Sequence, residues 1–268
     1  MFSVWIRQVK RSISDKRVFA YITGIILLVV LWQVFSLAID ERVMVLPGPK
    51  ETLEYAIYLL GRPYTYKCIG FTIQKMLMGF MISFVIALVS GVIAGNSSFI
   101  EEMLKPFLVT LRAVPTASLV YLFIVLSGFK NAPMLLVVMI SFPIIYEGIK
   151  DGIRNIPEGI SDAAKVDGSS LFKENLKVRL PLAIPYIIVA LVTSFSLSFK
   201  IEIMAEVIAG STNAGLGSAI AGARASDPTN MVPIFAYSLI AVVLMLMIDL
   251  IGGLFVSRFE KYNAAKDE

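Results

Sequence analysis

Long apolar runs alternate along this chain with short charged connections. The first run, residues 18–39 "VFAYITGIILLVVLWQVFSLAI", holds 22 residues without a charge. That length crosses the hydrocarbon core of a bilayer and exceeds the 7–15 apolar residues of a signal peptide, so it reads as a retained transmembrane helix. Runs of spanning length follow at 70–95, 104–127, 132–150, 181–209 and 231–256, which makes six. With the N-terminus inside, the inner connections carry fifteen lysines and arginines and the outer ones six, the other three lying within spans. Excess positive charge stays on the cytoplasmic side. Both termini are therefore placed in the cytoplasm.

The spans differ in kind. Gly79, Ser83, Ala87, Gly91 and Gly95 recur every four residues along the second. They form a groove of small side chains where another helix can come close, a helix-packing seam. Pro115, Pro143 and Pro185 interrupt spans three to five. Each removes a backbone hydrogen bond, and in lipid the freed carbonyl needs a protein partner or a wet cavity. Spans three to five are thus expected to surround a translocation path, braced by the first two. Outside the membrane, residues 46–60 predict an amphipathic helix with Leu53, Ala56, Ile57 and Leu60 on its apolar face. The small-residue loop 210–230 fits under a docked partner or forms a short re-entrant helix.

Composition narrows the chemistry. The chain is 57% hydrophobic and 16% charged, against about a quarter charged in soluble domains, so it is an integral membrane protein of one domain, 1–268. A net charge of +4 makes no case for nucleic acid. With no histidine and one cysteine, Cys68, there is no disulfide framework, no His/Cys metal cluster and no catalysis through histidine. No G-x-x-x-x-G-K-[ST] loop is present to bind ATP.

One connection is unlike the rest. In residues 157–180, Pro157 and Glu158 suit a helix start, Gly168 suits a helix stop, and a serine caps a second helix, "LFKENLKVR". Pro181 opens the next span. Inert connections are usually a few residues long. This helix–glycine–helix elbow, with its small flat apolar face, has the form of a handle for a cytoplasmic partner.

The spacing of that handle resembles a known signature. Asp162-Ala163-Ala164, three residues, Gly168, nine residues, then Val178-x-Leu180-Pro181 matches the "EAA" signature of type I ABC importer permeases, with aspartate for glutamate and valine for isoleucine. "LPGP" (46–49), "LRAVPTASLVYLFIVLSGF" (111–129), "LPLAIPYI" (180–187) and "AEVIAGSTNAGLG" (205–217) resemble the nitrate/sulfonate/taurine subgroup. The resemblance implies an all-α fold of the MetI-like type and a permease, not an enzyme. It implies that the elbow is an ATPase-coupling helix seated in a cleft of a separate ATPase, two copies of which bind ATP and Mg. It further implies a second permease copy, forming a homodimer around one path, and an extracytoplasmic binding protein that delivers substrate across a bacterial cytoplasmic membrane. No cofactor is expected in this chain.

Charges within spans are costly and mark function by default. Ser194, Ser198, Lys200, Glu202 and Glu206, with Pro115 and Pro143, are the candidates to line the path. Lys200 points about 160° away from Glu202 on a helix. It either meets an anionic substrate or pairs with a carboxylate on a neighbouring helix, and the ion pair is favoured because a path must also release its cargo. Glu206 matches the acidic residue of the family's "AE" pattern and reads as architectural. Arg112 and Glu147, near span ends, reach toward the interface. A secondary transporter would show a helix repeat and no partner-gripping elbow; a membrane-embedded enzyme would have to rely on Glu202, Glu206 or Lys200. The substrate class implied is a sulfonate, taurine or a similar small organic anion, with a vitamin precursor or other nitrogen compound as the alternative.

Overall fold

A computed structural model of the chain describes residues 16–38, 46–156, 159, 174–210 and 214–264. Among them the regular structure is helical: α1 (Lys16–Ala38), α2 (Pro49–Leu60), α3 (Pro63–Asn96), α4 (Ser98–Ala113), α5 (Thr116–Arg154), a π-helical turn (Asn175–Arg179) running into α6 (Leu180–Ala209), α7 (Leu216–Ser226) and α8 (Val232–Ala264). Four stretches among the described residues are long and apolar enough to cross a bilayer: Pro63–Asn96, Thr116–Arg154, Asn175–Ala209 and Val232–Arg258. The apolar part of α1, Ile22–Ala38, is shorter.

The helix α5 is central, with α3 on one side and α6 on the other. Small residues set both approaches. A Cβ added at Gly79 would lie 3.0 Å from Val137 Cβ, at Gly91 3.0 Å from Ile149 Cβ, and at Gly95 2.9 Å from Ile153 Cβ. Ser83 and Ala87, between them, are fully buried. The four-residue stripe of α3 is therefore the surface on which α5 lies. On the other side of α5, Gly148 leaves no room for a Cβ beside Ala190, and Gly152 rests on Ala183 and Tyr186. In lipid, where burial of apolar surface supplies no drive between helices, such contacts supply the association. A buried hydrogen bond between the hydroxyls of Ser141 and Ser198 (2.7 Å) adds a polar link between α5 and α6.

Two sequence expectations need correction. The span expected at 104–127 is broken: α4 stops at Ala113, Val114 and Pro115 are extended (ψ 128° and 127°), and helix resumes at Thr116. Proline disfavours the helical conformation in the residue before it, so Pro115 separates two helices instead of bending one. The break expected between 127 and 132 is confined to Gly128, at φ 77° and ψ 166°, with helix on both sides. A side chain would be strained there. The second correction concerns α2, which buries Thr52, Ala56 and Leu59, while Leu53, Ile57 and Leu60 face outward. The largest apolar residues of a helix at a membrane surface can remain exposed to lipid, leaving the smaller face for packing.

The bundle has two distinct ends. At one, α2 and α7 cover the starts of α3 and α8 through Ala56, Leu59, Cys68, Leu216, Ala219 and Tyr237. At the other lie the end of α3, the start of α4, the end of α5 and the turn entering α6. The apolar side chains of α1 point outward along most of its length. It is tied to the start of α2 by Trp32 Nε1, which donates to the Pro47 carbonyl (3.1 Å), and Ser36 Oγ, which donates to that of Leu46 (2.8 Å).

Candidate functional site

The break at Val114–Pro115 and the proline at 143 open a groove between α4, α5 and α6. It has a volume of about 370 Å³, and Val114, Thr116, Pro143, Ile144, Ile201 and Met204 are among the residues that line it. Arg112 and Lys200 also line it. Arg112 Nη2 lies 2.6 Å from Glu147 Oε2 and donates to the Pro143 carbonyl at 3.3 Å. These two residues, expected to reach toward the interface, neutralise each other beside the groove that Arg112 lines. Lys200 is exposed, and among the described residues no carboxylate lies within ion-pair distance of it. The ion pair favoured from the sequence is not found within this chain. The two-residue offset turns Lys200 about 160° away from Glu202 around α6.

The other polar residues of α6 take the opposite face. Ser194, Ser198, Glu202 and Glu206 recur every four residues and are all buried within the chain. All four were named for the path, Glu206 also as architectural; here Ser198 meets α5 and Glu206 meets α3 and α7. Ser198 bonds Ser141, and its hydroxyl also donates to the Ser194 carbonyl at 2.6 Å. A polar stripe reads alike whether it lines water or packs on another helix, and the sequence period alone does not distinguish the two.

Glu206 is the centre of a clasp. Its Oε2 accepts from Thr72 Oγ1 at 2.8 Å and from the Gly217 N–H at 2.9 Å, while Lys75 Nζ stands 3.8 Å from Oε1. Thr72 Oγ1 in turn accepts from the Leu216 N–H at 2.8 Å. A carboxylate thus sits at the N-terminus of α7, where unpaired N–H groups and the helix dipole favour negative charge, and it joins α3, α6 and α7. Lys75 stands near one end of the second expected span, and Thr72 was not named from the sequence. The buried stripe of α3 continues through Thr65, Cys68, Thr72 and Met76, and following it toward the N-terminus would have found Thr72. Glu202, one turn away and fully buried, has no hydrogen-bond partner on either carboxylate oxygen among the described residues.

At the opposite end two charged networks tie the helices. Glu101 of α4 meets Lys150 at 3.1 Å and Arg154 at 2.6 Å, both on α5, and Arg154 donates to Ser98 Oγ at 3.1 Å. The lysine hydrogen bond, reinforced by both positive charges, holds the Glu101 carboxyl below the usual carboxylate range. In the second network Arg179 Nε donates to the buried Glu174 Oε1 (2.8 Å), and Arg179 Nη1 donates to Asn96 Oδ1 (2.8 Å). Asn96 Nδ2 donates to Asn175 Oδ1 (2.8 Å) and to the Val92 carbonyl (2.7 Å). None of these partners was foreseen, because 83 residues separate Asn96 from Arg179 and neither carries a local pattern. Of the coupling residues, Val178, Leu180 and Pro181 fall on the π-helical turn and the start of α6. Asp162, Ala163, Ala164 and Gly168 lie outside the described residues, as does most of the first limb of the 157–180 elbow.

Helices broken by proline and glycine, packed through small residues around a groove with charge on its wall, define a polytopic helical membrane protein. The chain belongs to the family of binding-protein-dependent transport system inner membrane components, whose model matches residues 68–261. Among curated relatives, the aliphatic sulfonates transport permease protein SsuC of Bacillus subtilis is 27% identical over 180 residues, covering 65% of this chain and 64% of that protein. The bicarbonate transport system permease protein CmpB of Synechococcus elongatus is 29% identical over 178 residues, covering 60% and 62%. An ABC transporter permease protein of Haemophilus influenzae is 32% identical over 114 residues, covering 42% and 46%. The matched part therefore spans about half to two thirds of these relatives. Among solved structures, an inward-facing form of the MetNI methionine ABC transporter shares the fold with a TM-score of 0.63 at 18% identity, covering 76% of this chain and 98% of that one. An amino acid ABC transporter crystallised with histidines gives 0.62 at 19%, covering 77% and 98%. The family is a transport-system membrane component and not a catalytic subunit, and the apolar helices of this chain are those of a multi-pass membrane protein.

Proposed function

We propose that this chain is the membrane half of an ATP-driven importer in a bacterial cytoplasmic membrane, with six spans and both termini cytoplasmic. Two copies pair around one path, and the Arg112–Lys200 groove of each faces it. A binding protein delivers substrate at the α2–α7 end. Two ATPase subunits, which bind ATP and Mg, grip the 157–180 elbow at the other through Asp162, Ala163, Ala164 and Gly168. The family match over residues 68–261 supports the importer reading. The substrate proposed is a small organic anion, such as a sulfonate or taurine. What carries that choice is Lys200, the groove-lining cation without a carboxylate partner among the described residues. An exposed charge within a span favours a wet, anion-conducting surface over lipid. Relatives named for aliphatic sulfonates and for bicarbonate agree with it. A vitamin precursor or other nitrogen compound is the alternative cargo.

Ligands of the partner binding protein, found by thermal shift, should be anions and should stimulate ATP hydrolysis by the complex reconstituted in proteoliposomes. Lys200→Glu should then lower uptake at least tenfold, with assembly of the complex unchanged. Cationic or neutral hits, or full uptake by Lys200→Glu, overturn the anion assignment. Failure of the chain to assemble with an ATPase overturns the importer reading itself.

A further inference from the structure

The second limb of the elbow is not a hinge in the described structure. Residues 174–209 run as one helix, with the π-helical turn Asn175–Arg179 passing without a break into α6. Turns of this kind are rare and often occur at functional positions, because the extra residue re-aims the side chains around it. Here the turn carries Asn175 and Arg179, and both reach Asn96, the last residue of α3. Arg179 holds two partners at once, through Nε to Glu174 and through Nη1 to Asn96. Only a guanidinium offers that fixed fork of donors; an ammonium is a single point of charge. The carboxylate side chain of Glu174 is fully buried, so the anchor within the limb is firm. The Asn96 side is exposed and uncharged.

From this geometry we infer that Arg179 is a positioning residue for ATPase coupling. It welds the 174–180 limb to the end of α3, so that a displacement of the limb moves α3 together with α6. Helix α3 in turn carries α5 along the seam of Gly79, Gly91 and Gly95. The path-facing parts of α5 and α6 thereby receive the same stroke, one through α3 and one directly. This assignment rests on the reading of the elbow as the ATPase handle.

The test compares Asn96→Leu, Asn96→Asp and Arg179→Lys in the intact complex with its ATPase, reconstituted with the binding protein. Asn96→Leu removes both clasp bonds at an exposed helix end, and Arg179→Lys keeps a cation for Glu174 but cannot span both partners. Both should assemble with the ATPase and hydrolyse ATP at the unliganded rate of the unaltered complex, while substrate moved per ATP falls at least fivefold. Asn96→Asp retains an acceptor for Arg179 and should restore the ratio to within twofold of the original. A merely structural role would lower yield and hydrolysis together and leave the ratio unchanged. An unchanged ratio in Asn96→Leu and Arg179→Lys overturns the inference. Failure of the unaltered chain to bind any ATPase overturns the coupling reading instead, and the two failures are read from different measurements.

Discussion

The two ends of α6 are held by opposite strategies. Near its C-terminus, Glu206 is buried and gathers Thr72, Lys75 and the first N–H groups of α7 into one clasp. Near its N-terminus, Arg179 and Asn96 meet at an exposed junction, and the Glu101–Lys150–Arg154 network beside it is only partly covered. A buried charge-assisted clasp is costly to open, since each freed group would be left without water. A partly hydrated junction adds little to overall stability, because water compensates much of what is lost when it is removed. The first arrangement suits a fixed frame for α3, α6 and α7, and the second suits the end that receives a stroke.

That contrast predicts a graded response to substitution. Glu206→Ala should have the largest effect. It strands Thr72, Lys75 and the Gly217 N–H together, and the loss of stability should reach about 3–5 kcal/mol, seen as a large fall in the melting temperature of the purified protein in detergent. At the other end, Glu101→Gln should cost less than about 1 kcal/mol, since the pair is partly solvated. Its effect should depend on pH. Glu101 is held below the ordinary carboxylate value of 4.5, so its contribution is complete above that value and disappears as pH falls through the lower folded-state pKa. The melting temperatures of the original and Glu101→Gln proteins should therefore converge on acidification. The smallest effect belongs to Glu202→Gln. Its carboxylate oxygens bond nothing among the described residues, so an amide of the same shape removes no partner, and stability should hold or rise. A loss comparable to that of Glu206→Ala would show that Glu202 belongs to the clasp.

Much of this molecule was legible in its sequence. The apolar runs placed α1, α3, α6 and α8 to within a few residues at most ends, because a bilayer demands length and hydrophobicity that few other environments tolerate. The four-residue stripe of α3 was legible for the same reason, since close helix contact in lipid requires small side chains at helical period. Pro115 was visible as a helix breaker, yet the sequence placed it within a span and not between two helices. Which of the two occurs depends on whether the neighbouring carbonyls find partners, a property of the packed bundle. The sequence likewise named Ser194, Ser198, Lys200, Glu202 and Glu206 together as candidates for the path, while reading Glu206 as architectural.

Helical period and length are local properties, so the sequence by itself determined the class of protein and the apolar helices α3, α6 and α8. Only the tertiary structure decided that the carboxylate stripe faces inward and Lys200 outward, that Glu206 closes on α7, and that Arg179 finds Asn96 across 83 residues. Each of these is a meeting between side chains on different helices. Such meetings are fixed by the rotation of one packed helix against another, which no single helix encodes.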